Sequence, residues 1–180
     1  MTEIRIHGRG GQGVVTAAEL VALAAFFDGK EAQAFPNFGV ERSGAPIESY
    51  VRISSREIKT REQVKNPEVL IIQDDSLISE KNIFSGCDKN TVTIINTSDE
   101  KKINKKYLPG NKNYFTNATE IALNIIGRNI VNTTILGAFA KNTKLVSLNS
   151  LKKAINEKFK EKGKEVINKN IKAITESYKN

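Results

Sequence analysis

Between Ile4 and Val15 the chain runs from an apolar stretch, Ile4-Arg5-Ile6-His7, through Gly8-Arg9-Gly10-Gly11-Gln12-Gly13, into a second apolar run at Val14. Glycine lacks a Cβ, so such a turn reaches positive φ and lets the backbone approach another group closely. A strand, a glycine turn and a helix start follow from that pattern. The first amides of a helix have no partner within it, so they favour an anion placed before them. Gly8, Gly10 and Gly13 also match the dinucleotide spacing G-x-G-x-x-G. Gly8, Arg9, Gly10, Gly11, Gln12 and Gly13 are therefore candidate anion-binding or interface residues.

The helix that follows is apolar over most of its girth, from Val14 to Phe26, and is expected to be buried against a sheet. Asp28-Gly29-Lys30 ends it, and Ala32–Phe35 is a second strand closed by Pro36. This reads as a βαβ unit in a parallel sheet. A dinucleotide site also needs an acidic residue at the end of that second strand, to hold the ribose. Glu31 precedes the strand instead, and the Arg9 side chain is expected to crowd the phosphate position. Binding of NAD or FAD by a free-standing protein is thus the alternative reading, not the leading one.

Pro36–Pro46 carries two prolines, two glycines, Phe38 and the Glu41-Arg42 pair. A long loop of such specific composition is read as functional, built to meet another surface. Ile47–Ser54 alternates apolar and polar residues, as a strand with one wet face does, and Arg56–Thr60 is expected to pair back on it. Val69–Ile72 is a continuous apolar run, the mark of a central parallel strand. Asp74 or Asp75 after it is read as a helix N-cap for Ser76–Glu80 in preference to a metal ligand.

Thr91–Ile95 is a further central strand, and Tyr114-Phe115 closes the sheet. Thr116–Glu120 supplies a cap for a helix to about Ile126, and the small residues of Asn132–Ala140 allow close approach of another helix or a subunit. Two more helices begin at Ser147 and Lys164. The expected class is α/β: a three-layer α/β/α Rossmann-like fold with a mostly parallel sheet and a helical C-terminal segment. One domain is expected over 1–180, with 1–116 sheet-rich and 117–180 helical.

Composition narrows the chemistry. Residues 1–100 hold 11 basic and 15 acidic side chains, whereas 101–180 hold 17 basic and 5 acidic. The lysines lie among Asn, Glu and apolar residues with few aromatics, so a solvated helical surface is preferred to a nucleic-acid face. The single histidine, His7, excludes a histidine-based triad or zinc site, and the single cysteine, Cys87, excludes an internal disulfide. No catalytic residue and no metal ligand is assigned. No apolar run is long enough to span a bilayer, and a cytoplasmic protein is expected.

Three blocks in order carry a resemblance. Ile6–Gly13, then Ala32–Pro36 with Gly39–Pro46, then Asn132-Thr133 with Leu136-Gly137-Ala138-Phe139, resemble the gamma subunit of 2-oxoacid:ferredoxin (or flavodoxin) oxidoreductases. The likeness covers nearly the whole chain, and Phe35-Pro36 with Glu41–Pro46 looks more like the pyruvate branch than the 2-oxoglutarate branch. A gamma subunit acting on another 2-oxoacid, 2-oxoglutarate or 2-oxoisovalerate, is the alternative. One departure is Ile130-Val131, where family members often carry a proline before the Asn-Thr block. The resemblance implies part of an enzyme that converts pyruvate and coenzyme A to acetyl-CoA and carbon dioxide. It further implies alpha, beta and delta-type partner subunits. These would carry thiamine diphosphate, Mg2+ and iron–sulfur clusters, and ferredoxin or flavodoxin would accept the electrons. The resemblance thus implies that this chain holds none of these cofactors alone, which agrees with a single cysteine that cannot ligate a cluster. Phe38, Glu41, Arg42, Ser43, Gly44, Asn132 and Thr133 are the residues expected at an interface or on the coenzyme A approach.

Overall fold

The order of the strands is set by one insertion. In this computed structural model, which describes residues 1–37, 44–80 and 82–180, six strands form one mixed sheet. They are β1 (Thr2–Arg9), β2 (Glu31–Pro36), β3 (Pro46–Ser54), β4 (Val69–Ile72), β5 (Val92–Asn96) and β6 (Asn113–Thr116), in the order β2-β3-β1-β4-β5-β6. β3 runs antiparallel to both β1 and β2, while β4, β5 and β6 continue parallel to β1. Five strands thus share one direction.

The first strand–turn–helix–strand unit forms as its sequence suggests, with α1 spanning Val14–Phe27. Its two strands are parallel but not adjacent, because β3 lies between them. The expectation of one wet face on β3 is corrected by that central position: Tyr50 to Ile53 are all buried. Arg52 explains the misleading alternation. It is 2% exposed yet paired with Glu3 at 2.8 Å, hydrogen-bonded to the Glu62 carbonyl at 2.6 Å and set over the Phe35 ring at 5.2 Å. A charged side chain so compensated sits inside without the cost of an unpaired ion. Arg56–Thr60 forms no strand, so the expected hairpin is absent there.

Four further helices follow: α2 (Ala118–Ile126), α3 (Val131–Thr143), α4 (Leu148–Phe159) and α5 (Lys164–Lys179). Asn117 and Ser147 cap α2 and α4 through their side chains, as their positions before apolar runs suggest. Helical residues pack with Ile4, Ile6, Val51, Ile71 and Ile94 in the larger core cluster. The opposite sheet face, carrying Leu70, Ile72 and Ile95, is covered by Leu77, Ile78, Ile83 and Ile103 from short 3-10 turns and loops. That third layer is thin. The small residues of α3 serve internal packing: a Cβ on Gly137 would stand 2.2 Å from the Ile174 carbonyl oxygen of α5.

Candidate functional site

The glycine turn lies where β1 ends and α1 begins, and its conformation is fixed from three sides. Gly11 and Gly13 have φ of 91° and 70°, so both occupy the left-handed region open to glycine. Within the turn, the Gln12 amide donates to the Arg9 carbonyl at 2.9 Å, and the Arg9 amide donates to Gln12 Oε1 at 2.8 Å. Across the turn, the Gly10 amide donates to the Ala45 carbonyl at 2.8 Å and the Gly44 amide donates to the Gly10 carbonyl at 3.2 Å. The end of the Pro36–Pro46 loop is therefore fastened to the turn. Phe38, Glu41, Arg42 and Ser43 lie outside the described residues.

Arg9 points away from the helix start. Its guanidinium donates to Ser76 Oγ at 2.7 Å and to the Gly44 carbonyl at 3.1 Å, and lies 3.5 Å from Asp74 Oδ2. The expectation that Arg9 would crowd a phosphate before α1 is thus corrected: its side chain is taken up by the segment after β4. Asp74 gathers this corner, accepting from Gln12 Nε2 at 2.9 Å, from the Ser76 amide at 3.1 Å and from the Ser76 hydroxyl. Partial burial alone would raise the Asp74 carboxyl; the hydrogen bonds from Ser76 and Gln12, with the Arg9 charge, outweigh it and hold the group below its ordinary value. Asp74 also caps the Asp75–Ser79 turn, as read from the sequence.

On the other side of Gln12, three helix starts meet. Asn132, in the first turn of α3, donates from Nδ2 to the Gly13 carbonyl at 3.2 Å, while its Oδ1 accepts from the Thr133 amide at 2.9 Å. Thr133 donates in turn to Asn170 Oδ1 of α5 at 2.7 Å. α1, α3 and α5 have no side-chain cap at their N-termini. Their first turns border a cleft of 220 Å³ whose walls include Gly11, Gly13, Thr16, Asn132, Lys162 and Asn170. Unsatisfied amides, helix dipoles and one ammonium group make this cleft attractive to an anion. Lys162 was not singled out in the sequence; its place just before α5 was the available signal.

The remaining titratable candidates are structural. His7 is buried and accepts from Arg5 Nε at 2.9 Å; burial, then the Arg5 charge, lowers its pKa to about 4 despite Glu48 at 3.7 Å. Burial raises the Cys87 thiol above its ordinary value, which suits an inert side chain. Among the described residues, no group of three or more His, Cys, Asp and Glu side chains is placed to hold a metal ion. Nor, among the described residues, is any helix long and apolar enough to cross a membrane.

The geometry also disposes of the dinucleotide alternative. The second strand of the unit lies two places from β1, and Glu31 begins it at the far end from the glycine turn. The carboxylate needed for a ribose is not beside the turn. The model of the family described as pyruvate ferredoxin/flavodoxin oxidoreductase matches residues 3–180. The chain belongs to this family. Among its relatives, pyruvate synthase subunit PorC of Methanocaldococcus jannaschii is 48% identical over 179 residues, 99% of this chain and 96% of that one. The common gamma subunit of the pyruvate/ketoisovalerate oxidoreductases of Pyrococcus furiosus is 43% identical over 180 residues, with the same coverage. The crystal structure of pyruvate oxidoreductase subunit PORC from Thermotoga maritima superposes with a TM-score of 0.86 at 36% identity, covering 99% of this chain and 95% of that one. The mixed sheet with a helical C-terminal segment is thus a fold shared with that PORC subunit.

Proposed function

We propose that this chain is the gamma subunit of a pyruvate:ferredoxin (or flavodoxin) oxidoreductase. The complex oxidatively decarboxylates pyruvate with coenzyme A to acetyl-CoA and carbon dioxide. The observation that carries the reading is likeness over the full length to a pyruvate synthase subunit at 48% identity. The residue inventory agrees with a non-redox role: one cysteine cannot ligate an iron–sulfur cluster. Those cofactors, with Mg2+, belong on alpha, beta and delta-type partners, and ferredoxin or flavodoxin takes the electrons. A gamma subunit shared between pyruvate and ketoisovalerate enzymes, as named in Pyrococcus furiosus, supports a choice of 2-oxoacid made on other chains.

This chain's part is assembly and the coenzyme A approach. Gly8–Gly13 holds the loop that ends at Gly44, and the Gly13–Asn132–Thr133 contacts hold the helix starts that face Lys162. An anionic group of coenzyme A suits that cleft, because the amides and the ammonium offset charge without redox chemistry. The test is steady-state kinetics of the assembled complex carrying Lys162→Glu. A several-fold rise in the KM for coenzyme A with the pyruvate KM unchanged supports the role; unchanged kinetics for both substrates removes it.

A further inference from the structure

The carboxyl ends of β4 and β5 open onto a second cleft, of 420 Å³, across Gln12 from the Lys162 cleft. Open α/β sheets receive ligands at this edge. Gln73, the first residue after β4, lies in its floor with 1% of its surface exposed. Neither the Oε1 nor the Nε2 of Gln73 has a hydrogen-bond partner. Asn96 Nδ2 donates to the Gln73 carbonyl at 3.0 Å and to Thr119 Oγ1 at 2.9 Å, while Asn96 Oδ1 accepts from the Thr119 amide at 3.1 Å. The Thr97 hydroxyl donates to Asp75 Oδ2 at 2.7 Å. These neighbours are engaged with one another, and the Gln73 carboxamide is left open.

That opening is costly for folding alone. A buried polar group without a partner lowers stability, and a leucine of similar size at position 73 would avoid that loss. The backbone makes room for the amide: a Cβ on Gly8 would stand 3.0 Å from Gln73 Oε1. The charge of the walls restricts what can complete the pairing. Asp74, Asp75 and Glu120 border the cleft and, among the described residues, no lysine, arginine or histidine lines it, so a phosphate or carboxylate is disfavoured. Leu123 and Val131 add an apolar side. A carboxamide offers one acceptor beside one donor, the pattern that matches another amide or the edge of a nucleobase.

We propose that this cleft binds a small, uncharged planar molecule presenting an N–H donor next to an acceptor, a primary carboxamide or a nucleobase edge, through Gln73. The proposal is independent of the oxidoreductase reading, since the cleft, the residues and the charge of the ligand differ from those of the coenzyme A approach. The test follows the side-chain amide signals of Gln73 and Asn96 by NMR in the full chain during titration with nicotinamide, adenosine and AMP. Saturable shifts with nicotinamide or adenosine are expected at probe concentrations up to about 10 mM, the range of a fragment-sized ligand. Binding weakened about tenfold by Gln73→Leu in a chain of undiminished stability, with AMP weaker than adenosine, is the full expected result. Absence of any saturable shift overturns the proposal, whether or not Gln73→Leu stabilises the fold. So does AMP binding as tightly as adenosine, which would mark an anion site.

Discussion

The side-chain amide of Asn132 donates to the carbonyl of Gly13, joining the starts of two helices that lie 119 residues apart. A Cβ on Gly13 would stand 2.3 Å from that same nitrogen, and φ there is already 70°. Gly13→Ala must therefore both adopt a left-handed backbone and displace Asn132. The expected loss is about 2 kcal/mol or more, of which roughly 1–2 is backbone strain. Because the two residues touch, Gly13→Ala combined with Asn132→Ala should cost less than the sum of the single changes. Urea denaturation of the four variants measures this, and strict additivity would contradict the contact.

Gly137 makes a comparable approach between α3 and α5. Its Cβ would meet backbone atoms, Ile174 O at 2.2 Å and Tyr178 N at 2.7 Å, which cannot swing aside. Gly137→Ala is expected to lower stability by about 3 kcal/mol through forced separation of the helices, although alanine is the better helix former. A melting temperature equal to or above that of the parent would refute the packing.

His7 sets a pH window. Its folded pKa of about 4 lies below the ordinary 6.5, because burial and Arg5 disfavour the charged ring. As pH falls from 6.5 to 4 the unfolded chain takes up a proton that the folded chain does not, so stability declines across that interval. His7→Gln, which keeps an acceptor for Arg5, should flatten the decline. Denaturant midpoints at intervals from pH 7 to pH 4 decide it.

Asp28 works in the same sense but lower in pH. Its carboxylate accepts from the Ser147 amide at 2.6 Å, the Ser147 hydroxyl at 2.8 Å and the Ser150 hydroxyl at 2.7 Å, tying the end of α1 to the start of α4. Slight burial would raise the group, but those bonds and Lys30 lower it below 3.8. Its stabilisation is present above pH 3.8 and is lost as pH falls through the depressed value. Asp28→Ala should cost roughly 2 kcal/mol at neutral pH and leave a shallower acid limb. An unchanged acid limb in unfolding monitored by circular dichroism would contradict this.

How much of the molecule its sequence reveals depends on where polar groups go. Val69–Ile72 announces a central strand because no polar group interrupts it, and Thr91–Ile95 because every one of its residues is β-branched. The Gly8–Gly13 turn and the caps at Asn117 and Ser147 are legible because local chemistry alone decides them. β3 is misread because Arg52 is compensated by Glu3, Glu62 and Phe35, partners that sequence spacing does not connect. The insertion of β3 between β1 and β2 is likewise a long-range choice, invisible in the alternation of Ile47 to Ile53. At the site, the pairing of Gly13 with Asn132 was marked only as two separate unusual blocks. Lys162 is not legible in this way, since an isolated lysine carries no local signal until the fold sets it against a cleft.

The central claim is that this chain works as a subunit, and isolation of the tagged chain from its native host under anaerobic conditions tests it most directly. The account predicts recovery of partner chains that carry thiamine diphosphate and iron–sulfur clusters, in a complex that reduces ferredoxin or flavodoxin only when pyruvate and coenzyme A are both present. Recovery of the chain alone from cells that make those partners, with the pyruvate activity in fractions that lack it, would contradict the account.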